Sequence, residues 1–292
     1  MTLFDGLPLE QVSRPAVVLS ASRMTDMPKY YPRELIAEIE KRLAKGLHLH
    51  SVVLWTKHPQ SLFTQPLYDT LLQLQKQRIQ LFAQITITGF GGRPVGLKAN
   101  GKPLNLEPQA PPFEQALAFL PKVVELVGKP ERLKLRIDPL VTGLDSRKQR
   151  FSNLPLLPVI VEQAAGYGIR SFCFSFAETG YTKVSRRFRQ LGCTLLSPSA
   201  AERTAIEHQL KALEQKLSIT LAACCVAGFA DSRCIDGKLL QQLHDDKLPV
   251  DCTEPRRRPQ CGCTTSIDIG GWPPKPCLTG CDYCYARPVY VD

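Results

Sequence analysis

The sequence predicts an α/β protein. Residues 1–245 form a partial (β/α)6 TIM-like barrel of parallel strands, and residues 246–292 form an irregular Cys-rich segment that binds a metal or cluster and packs on the barrel mouth. Three observations lead there. Six short apolar, β-branched runs alternate with longer stretches of helical periodicity, the pattern of a parallel sheet covered by helices. The ends of those runs carry polar side chains, and in such folds the working groups lie where strands run out into the following loops. After residue 245 the periodicity gives way to Pro, Gly, charge and cysteine.

VVLSA (17–21) is the first strand, and a helix over 32–44 opens with Pro32, at a position that suits a helix start. SVVLW (51–55) precedes a helix near 66–78, and LFAQITIT (81–88) precedes one over 112–127. LKLRID (133–138) leads to a helix near 155–166, and RSFCFSF (170–176) to one near 179–191. A helix near 199–216 then precedes the sixth strand, SITLAAC (218–224), and GKLLQQL (237–243) starts a short further helix. The segment from 246 onward reads as a long loop, which in a compact protein needs something to order it, and ligation of a metal by its own cysteines is the natural candidate.

If the sheet curves, the strand ends converge on one mouth. They bring Arg23 and Asp26 after the first strand, Thr56, Lys57 and His58 after the second, Thr86 and Thr88 on the third, Arg136 and Asp138 on the fourth, and Cys224 and Cys225 on the sixth. Any one of these polar groups is explained equally well by capping of the next helix. Arg136 and Asp138 are less easily dismissed. They alternate with Leu135 and Ile137, so they face the same side of the sheet, and a buried charged pair is costly unless it forms an ion pair or serves a site.

Composition narrows the classes. The chain has 292 residues, 43% of them hydrophobic, enough for a sizeable core, and no apolar run reaches the length of a membrane span. The opening MTLFDGLPLEQVSRP contains Asp5 and Glu10 and does not read as a secretory signal, so a cytoplasmic location with reduced thiols is expected, with no membrane partner. A formal net charge of +10 suits an anionic partner, either nucleic acid or a phosphorylated small molecule. The densest basic patches, KVSRRFR (183–189) and PRRRP (255–259), serve equally well as solvated surface.

The cysteines are uneven. Of the 11, Cys252, Cys261, Cys263, Cys277, Cys281 and Cys284 crowd the C-terminal segment, with Cys224, Cys225 and Cys234 just upstream; Cys173 and Cys193 sit in apolar or mixed surroundings that suit structural burial. Close thiols in a reduced compartment bind zinc, hold an iron–sulfur cluster or act in redox chemistry. Cys281 and Cys284 make a zinc-type C-x2-C pair, with Cys261 and Cys263 a poorer C-x-C partner. Cys277, Cys281 and Cys284, at C-x3-C-x2-C, offer three ligands to a [4Fe–4S] cluster instead, leaving the fourth iron to Cys261, Cys263 or a small molecule. Cys261 and Cys263 are alternatively the start of a second site that Cys225, Cys234 and Cys252 could join, and Cys225, at a strand end, is alternatively a donor of a hydrogen atom or thiolate to a reaction intermediate.

The stretch CLTGCDYCYA resembles the cluster loop of the radical S-adenosylmethionine (SAM) superfamily, C-x3-C-x2-C with an aromatic before the third cysteine. The resemblance implies a [4Fe–4S] cluster on Cys277, Cys281 and Cys284, SAM on its open iron, Tyr283 near the adenine, and a full or partial parallel β/α barrel. Two features depart from that pattern. The loop comes last in the chain rather than after the first strand, and no Gly-Gly-Glu segment is present to hold the methionyl amine, a role that falls to Asp26, Thr86 or Asp138. The whole chain also resembles a bacterial domain-of-unknown-function family, number 1848, through SASRMTDMP, VVLWTKHP, ITITGFGG with LEP following, LRIDPL, RCIDG and CGCTTSIDIGGW.

The expectation is therefore a radical SAM-like enzyme acting on an anionic substrate. Cys225, Arg136 and Asp138 are its candidate catalytic residues, and Arg23 and Lys57 its candidate substrate anchors. A flavodoxin or ferredoxin is the expected electron donor. The alternative is a nucleic-acid-binding protein in which zinc or a cluster merely orders the C-terminal loop, and a third possibility, electron transfer to a partner enzyme, ranks last.

Overall fold

The expected alternation of strands and helices is present in the computed structural model, which describes residues 16–255 and 260–290. The N-terminal stretch 1–15 and most of the basic PRRRP patch lie outside the described residues. The elements are β1 (Val17–Ala21), α1 (Met27–Tyr30), α2 (Pro32–Ala44), β2 (Leu49–Thr56), α3 (Leu67–Lys76), β3 (Gln80–Thr86), α4 (Phe113–Ala118), α5 (Leu120–Val127) and β4 (Leu133–Leu140). They continue with β5 (Thr142–Leu144), β6 (Arg150–Ser152), α6 (Leu157–Gly166), β7 (Ser171–Phe176), α7 (Thr182–Gln190), β8 (Thr194–Leu196), α8 (Ala200–Leu217), β9 (Thr220–Ala223), α9 (Gly237–Leu243) and β10 (Ile267–Asp268).

The main sheet has seven strands in the order β10-β1-β2-β3-β4-β7-β9, every neighbouring pair parallel. All six expected strands are in it. The seventh, β10, comes from the segment read as loop: Leu19 pairs with Ile267 and Ser20 with Asp268. Two residues are too few for an alternation to register in the sequence. Among the described residues β9 and β10 are edges that do not pair with each other, so the architecture is a mixed α/β fold on a parallel sheet. A second sheet, β6-β5-β8, is antiparallel and was not anticipated, because each of its strands is only three residues long. The expected helix over 112–127 is two helices, interrupted at Phe119 with Pro121 in the first turn of the second.

Side-chain alternation sorts the main sheet into two faces. Leu19, Val52, Leu54, Leu81, Ala83, Leu135 and Phe172 point to one side and pack with apolar residues of α2, α3, α4, α5, α6 and α8. That side holds the main core, and its helices are amphipathic in the ordinary way, as with Leu67, Leu71 and Leu74 on α3.

The opposite face is covered differently. Val18, Val53, Trp55, Phe82 and Cys173 project from it and are buried by Cys234, Ile235, Leu240, Val250 and Cys263 of the C-terminal part of the chain. This face is also polar. Gln80 donates to the Leu240 carbonyl at 3.1 Å, Gln84 to the Cys234 carbonyl at 2.6 Å, and Lys134 to the Arg233 carbonyl at 2.8 Å. Burying a donor costs less when it is paired, so the Nε2 groups of Gln80 and Gln84 and the Lys134 ammonium favour one placement of the tail, while the Oε1 atoms of both glutamines make no hydrogen bond among the described residues. A third cluster, around Phe90, Leu106, Val141, Phe151 and Phe188, joins the small sheet and α7 to the loops beyond the strand ends.

At the other end of the sheet, His50 is fully buried between Ser51 Oγ (2.6 Å from Nδ1) and the Leu248 carbonyl (2.9 Å from Nε2). Burial first, and then neighbouring His244, lowers its pKa to about 4 from 6.5. A depressed folded-state pKa contributes stability that is present above 6.5 and lost as pH falls towards 4. We predict that His50→Gln flattens the fall in stability across that window by up to one proton, read as urea-unfolding midpoints at pH 7 and pH 5.

Candidate functional site

The C-x3-C-x2-C loop lies over the C-terminal ends of β1, β2 and β3. Thr25, after β1, donates to the Lys275 carbonyl at 2.9 Å, and Tyr31 donates to the Pro276 carbonyl at 2.8 Å. His58, after β2, shares a 3.3 Å hydrogen bond between Nε2 and Thr279 Oγ1. The Asp282 amide donates to the Leu106 carbonyl, in the long connection after β3, at 2.9 Å. On the other flank Arg187 of α7 donates to the carbonyls of Asp282 and Cys284, the latter at 3.0 Å. The loop closes on itself too, with the Cys277 amide bonded to the Arg287 carbonyl at 2.8 Å and the Val289 amide to the Cys277 carbonyl at 2.9 Å. Gly280 has φ +67, a left-handed conformation that explains glycine just before Cys281.

Beneath the loop sits a buried ion pair. Lys57 Nζ donates to Glu107 Oε1 at 2.8 Å and to Tyr283 Oη at 3.1 Å. Thr88 Oγ1 and the Tyr283 hydroxyl donate to the same carboxylate oxygen. Burial works to lower the Lys57 pKa, but the opposing causes, led by the charge of Glu107 and its hydrogen bond, hold the ammonium above its ordinary range. Cys281 is buried and Cys277 and Cys284 half-buried; burial pushes the Cys281 thiol well up and raises Cys284 as well. Lys57 is therefore a fixed positive charge beside two of the three thiols.

The other mouth residues fasten the strand ends and the tail. Asp26 caps α1 and accepts from Thr56 Oγ1 at 2.9 Å and the Lys57 amide at 2.8 Å; burial raises its pKa to about 6. Arg23 donates through Nη2 to Ser266 Oγ at 3.0 Å and through its amide to Asp268 Oδ2 at 3.2 Å, holding β10 against β1. Just beyond, Gly270 packs so closely on Ser22 that an added Cβ would collide with its Oγ. His58 is buried and neutral, its pKa lowered to about 3 by burial and by Lys29 and Lys57. Thr86 is half-buried at the end of β3, in register with Arg136.

The model of the domain of unknown function DUF1848 matches residues 41–286. The chain belongs to this family. The matched span takes in Lys57, His58, Glu107, Arg136 and all three cysteines of the loop, whereas Arg23 and Asp26 lie upstream of it. No curated protein matches the chain. Among solved structures it is similar to the carboxyl transferase domain from Rhizobium etli pyruvate carboxylase with 3-bromopyruvate. That likeness has 10% identity and a TM-score of 0.32, and covers 94% of this chain and 45% of that one. PhdJ bound to substrate intermediate gives 10% identity and a TM-score of 0.28, over 72% of this chain and 59% of that one. The DUF1848 chain thus spans about half the length of the structures it resembles.

In this DUF1848 member the remaining cysteines divide between two places. Cys261 and Cys263 do not join the terminal loop. They pack with Cys234 and Cys252 against the polar face of the sheet. There Cys173, Cys224 and Cys234 lie within hydrogen-bonding reach of one another, and Cys263 within reach of Cys234. Arg136 and Asp138 do face one side, and they pair through Nη2 and Oδ2. Arg136 Nη1 also donates to Cys234 Sγ at 2.8 Å, and its guanidinium lies 4.9 Å from the Trp55 ring. Hydrogen bonds from Cys173, Cys224 and Cys263, with the Arg136 charge, hold Cys234 well below the usual thiol range. Of the two adjacent cysteines after β9, it is Cys224 that turns into this group; Cys225 leaves the strand at φ +54. Cys193 is buried in the third cluster, as its surroundings imply, while Cys173 is buried among thiols. Among the described residues no group of three or more His, Cys, Asp or Glu side chains is posed to hold a metal ion as it stands.

A cavity of about 320 Å³ opens beside the terminal loop, lined by Lys29, Tyr30, His58, Gln109, Gln115 and Leu278. Its volume is in the range of small-ligand sites. Glu107 is the central residue that sequence reasoning did not single out; its one signal is its place in the LEP stretch. Arg187 reads in the sequence only as part of the basic KVSRRFR patch, either solvated surface or an anion-binding surface. We predict that Glu107→Ala, which leaves Lys57 buried without its partner, destabilises the protein by about 3–5 kcal/mol. Adding Lys57→Met to Glu107→Ala recovers much of that loss, as a double-mutant cycle of unfolding free energies will show.

Proposed function

We propose that this DUF1848 protein is an iron–sulfur enzyme of the radical SAM type, with a [4Fe–4S] cluster held by Cys277, Cys281 and Cys284. The observation that carries the reading is the position of the loop. Three thiols at cluster spacing lie over the ends of β1, β2 and β3, where parallel α/β folds place their chemistry. The donor set is of the right chemical kind: three cysteines on a loop turned by Gly280, beside a cation that would offset the negative charge of a thiolate-bound cluster. What supports a part-barrel form of the sheet is its sequential strand order, with the helices of the main core on one face.

A [4Fe–4S] cluster held by Cys277, Cys281 and Cys284 would supply the one-electron reduction that cleaves bound SAM. The chain's own residues do the rest. Lys57 stays protonated and, with Glu107, holds the Tyr283 ring in place beside the thiols. His58, neutral across the physiological range, binds Thr279 and lines the cavity without adding charge. That cavity is the place for a small ligand beside Leu278, with Lys29 available to an anionic group. Asp26, Arg136 and Asp138 act here by positioning, because their polar groups are engaged within the protein, and Arg23 holds Ser266 through Nη2. An external one-electron donor of the flavodoxin or ferredoxin kind completes the system.

The test is anaerobic reconstitution with iron and sulfide. The expected result is a brown protein with about four irons at this loop that releases 5′-deoxyadenosine from SAM when reduced. Cys281→Ala should abolish both that cluster's absorbance and SAM cleavage. A colourless wild-type protein carrying only tightly bound zinc would instead favour a metal-ordered binding protein.

A further inference from the structure

We propose that the polar face of the sheet carries a second, separate metal site, in which Cys173, Cys224, Cys234 and Cys263 bind one thiophilic divalent ion of the zinc class. The four thiols come from four separate places. Cys173 lies on β7, Cys224 just past β9, Cys234 just before α9 and Cys263 just before β10. Cys173, Cys234 and Cys263 share one buried cluster with Cys224 packed against it, and Arg136 Nη1 reaches both Cys234 and Cys173. The Cys224 and Cys234 sulfurs are 4.0 Å apart.

That spacing distinguishes between metals. Four sulfurs at about 2.3 Å from a single tetrahedral ion lie about 3.8 Å from one another. A [4Fe–4S] cluster spreads its cysteine sulfurs much wider, because a cube of iron and sulfide stands between them. The Cys224–Cys234 pair at 4.0 Å is close to the single-ion spacing and well short of the cluster spacing. The four thiols are not yet arranged around a common point. Cysteine has a single side-chain torsion with three staggered wells, so loading involves rotation about χ1. Each ligand that is still a thiol gives up its proton to solvent as the ion binds.

The surroundings are built for that charge. Four thiolates on a divalent ion carry a net charge of −2, and the Arg136 guanidinium is already placed on Cys234, 2.8 Å from Nη1, and 3.9 Å from Cys173. Trp55 covers the face of that guanidinium, and Asp138 holds its other end. Gln84 and Lys134 grip the carbonyls of Cys234 and Arg233, fixing the backbone that carries the central ligand. Cys263 is adjacent because the Thr264 amide bonds to the Ile235 carbonyl at 2.9 Å and Thr264 Oγ1 accepts from the Gly237 amide at 2.8 Å. An ion here joins two strands of the sheet to the tail that covers them.

The site is tested apart from the terminal loop. In a chain with Cys277, Cys281 and Cys284 all changed to Ser, reduced metal-free protein is titrated with cobalt(II). The expected result is one cobalt per chain, with thiolate charge-transfer and tetrahedral ligand-field absorption, displaced by one equivalent of zinc. Cys234→Ser or Cys263→Ser should weaken binding at least tenfold, and Arg136→Gln, which touches the ligand without ligating, by about 10–100-fold. No thiolate-to-cobalt band at saturation overturns the proposal, as does a band that Cys234→Ser leaves unchanged. Should a variant fail to fold, the wild-type chain loaded with zinc answers the same question by alkylation and mass spectrometry. Cys173, Cys224, Cys234 and Cys263 should be protected until a chelator is added, and equal labelling with and without chelator overturns the proposal.

Discussion

A parallel sheet that keeps the helices of its main core on one face leaves the other face for something else to bury, and in this protein the chain's own C-terminal part does so. That constraint organises the molecule. The exposed face would show Val18, Val53, Trp55 and Phe82 together with Gln80, Gln84, Lys134 and Arg136. The apolar members favour cover of any kind, but the polar ones demand partners at fixed positions, because an unpaired buried donor costs more than a made hydrogen bond returns. The tail supplies those partners as backbone carbonyls and as the Cys234 sulfur. Once it is so placed, β10 adds to the sheet edge beside β1, and the residues beyond β10 are delivered to the ends of β1, β2 and β3.

The two groups of cysteine then have different physical surroundings. The terminal loop stands at the rim, next to a cavity, with a lysine beside it and two of its three thiols half-buried. Such a setting suits a cofactor that must meet a substrate. The inner group is enclosed between sheet and tail, with an arginine held on its central sulfur. Such a setting suits a joint. The separation of the two groups arises from which stretch of the tail lies on the sheet face and which passes over the strand ends.

Much of the fold could be read in advance because strands buried on both faces are continuous apolar runs and the helices between them have clear periodicity. β1 and α2 end where those patterns end. The three-residue strands of the small sheet and the two residues of β10 are too short to carry a period, so only tertiary pairing reveals them. In the candidate site, Cys277, Cys281 and Cys284 were legible from spacing alone, and Lys57 from its place at a strand end. Glu107 was not, because it lies in a long connection with no periodic or spacing signal, and its importance arises only when Lys57 and Tyr283 arrive from distant parts of the chain. The sequence left open whether Cys261 and Cys263 join the terminal loop, form a second site or do neither, because spacing along the chain does not say which stretch of the tail lies on the sheet face.

The enzymatic reading requires the terminal loop to present an incompletely ligated iron to a small molecule. The most direct measurement is electron paramagnetic resonance of the anaerobically reconstituted, dithionite-reduced protein, recorded with and without SAM. The expected spectrum is a one-electron-reduced [4Fe–4S] signal whose g-values shift when SAM is added, because the cofactor then binds the iron itself. A cluster signal that SAM leaves untouched would contradict it.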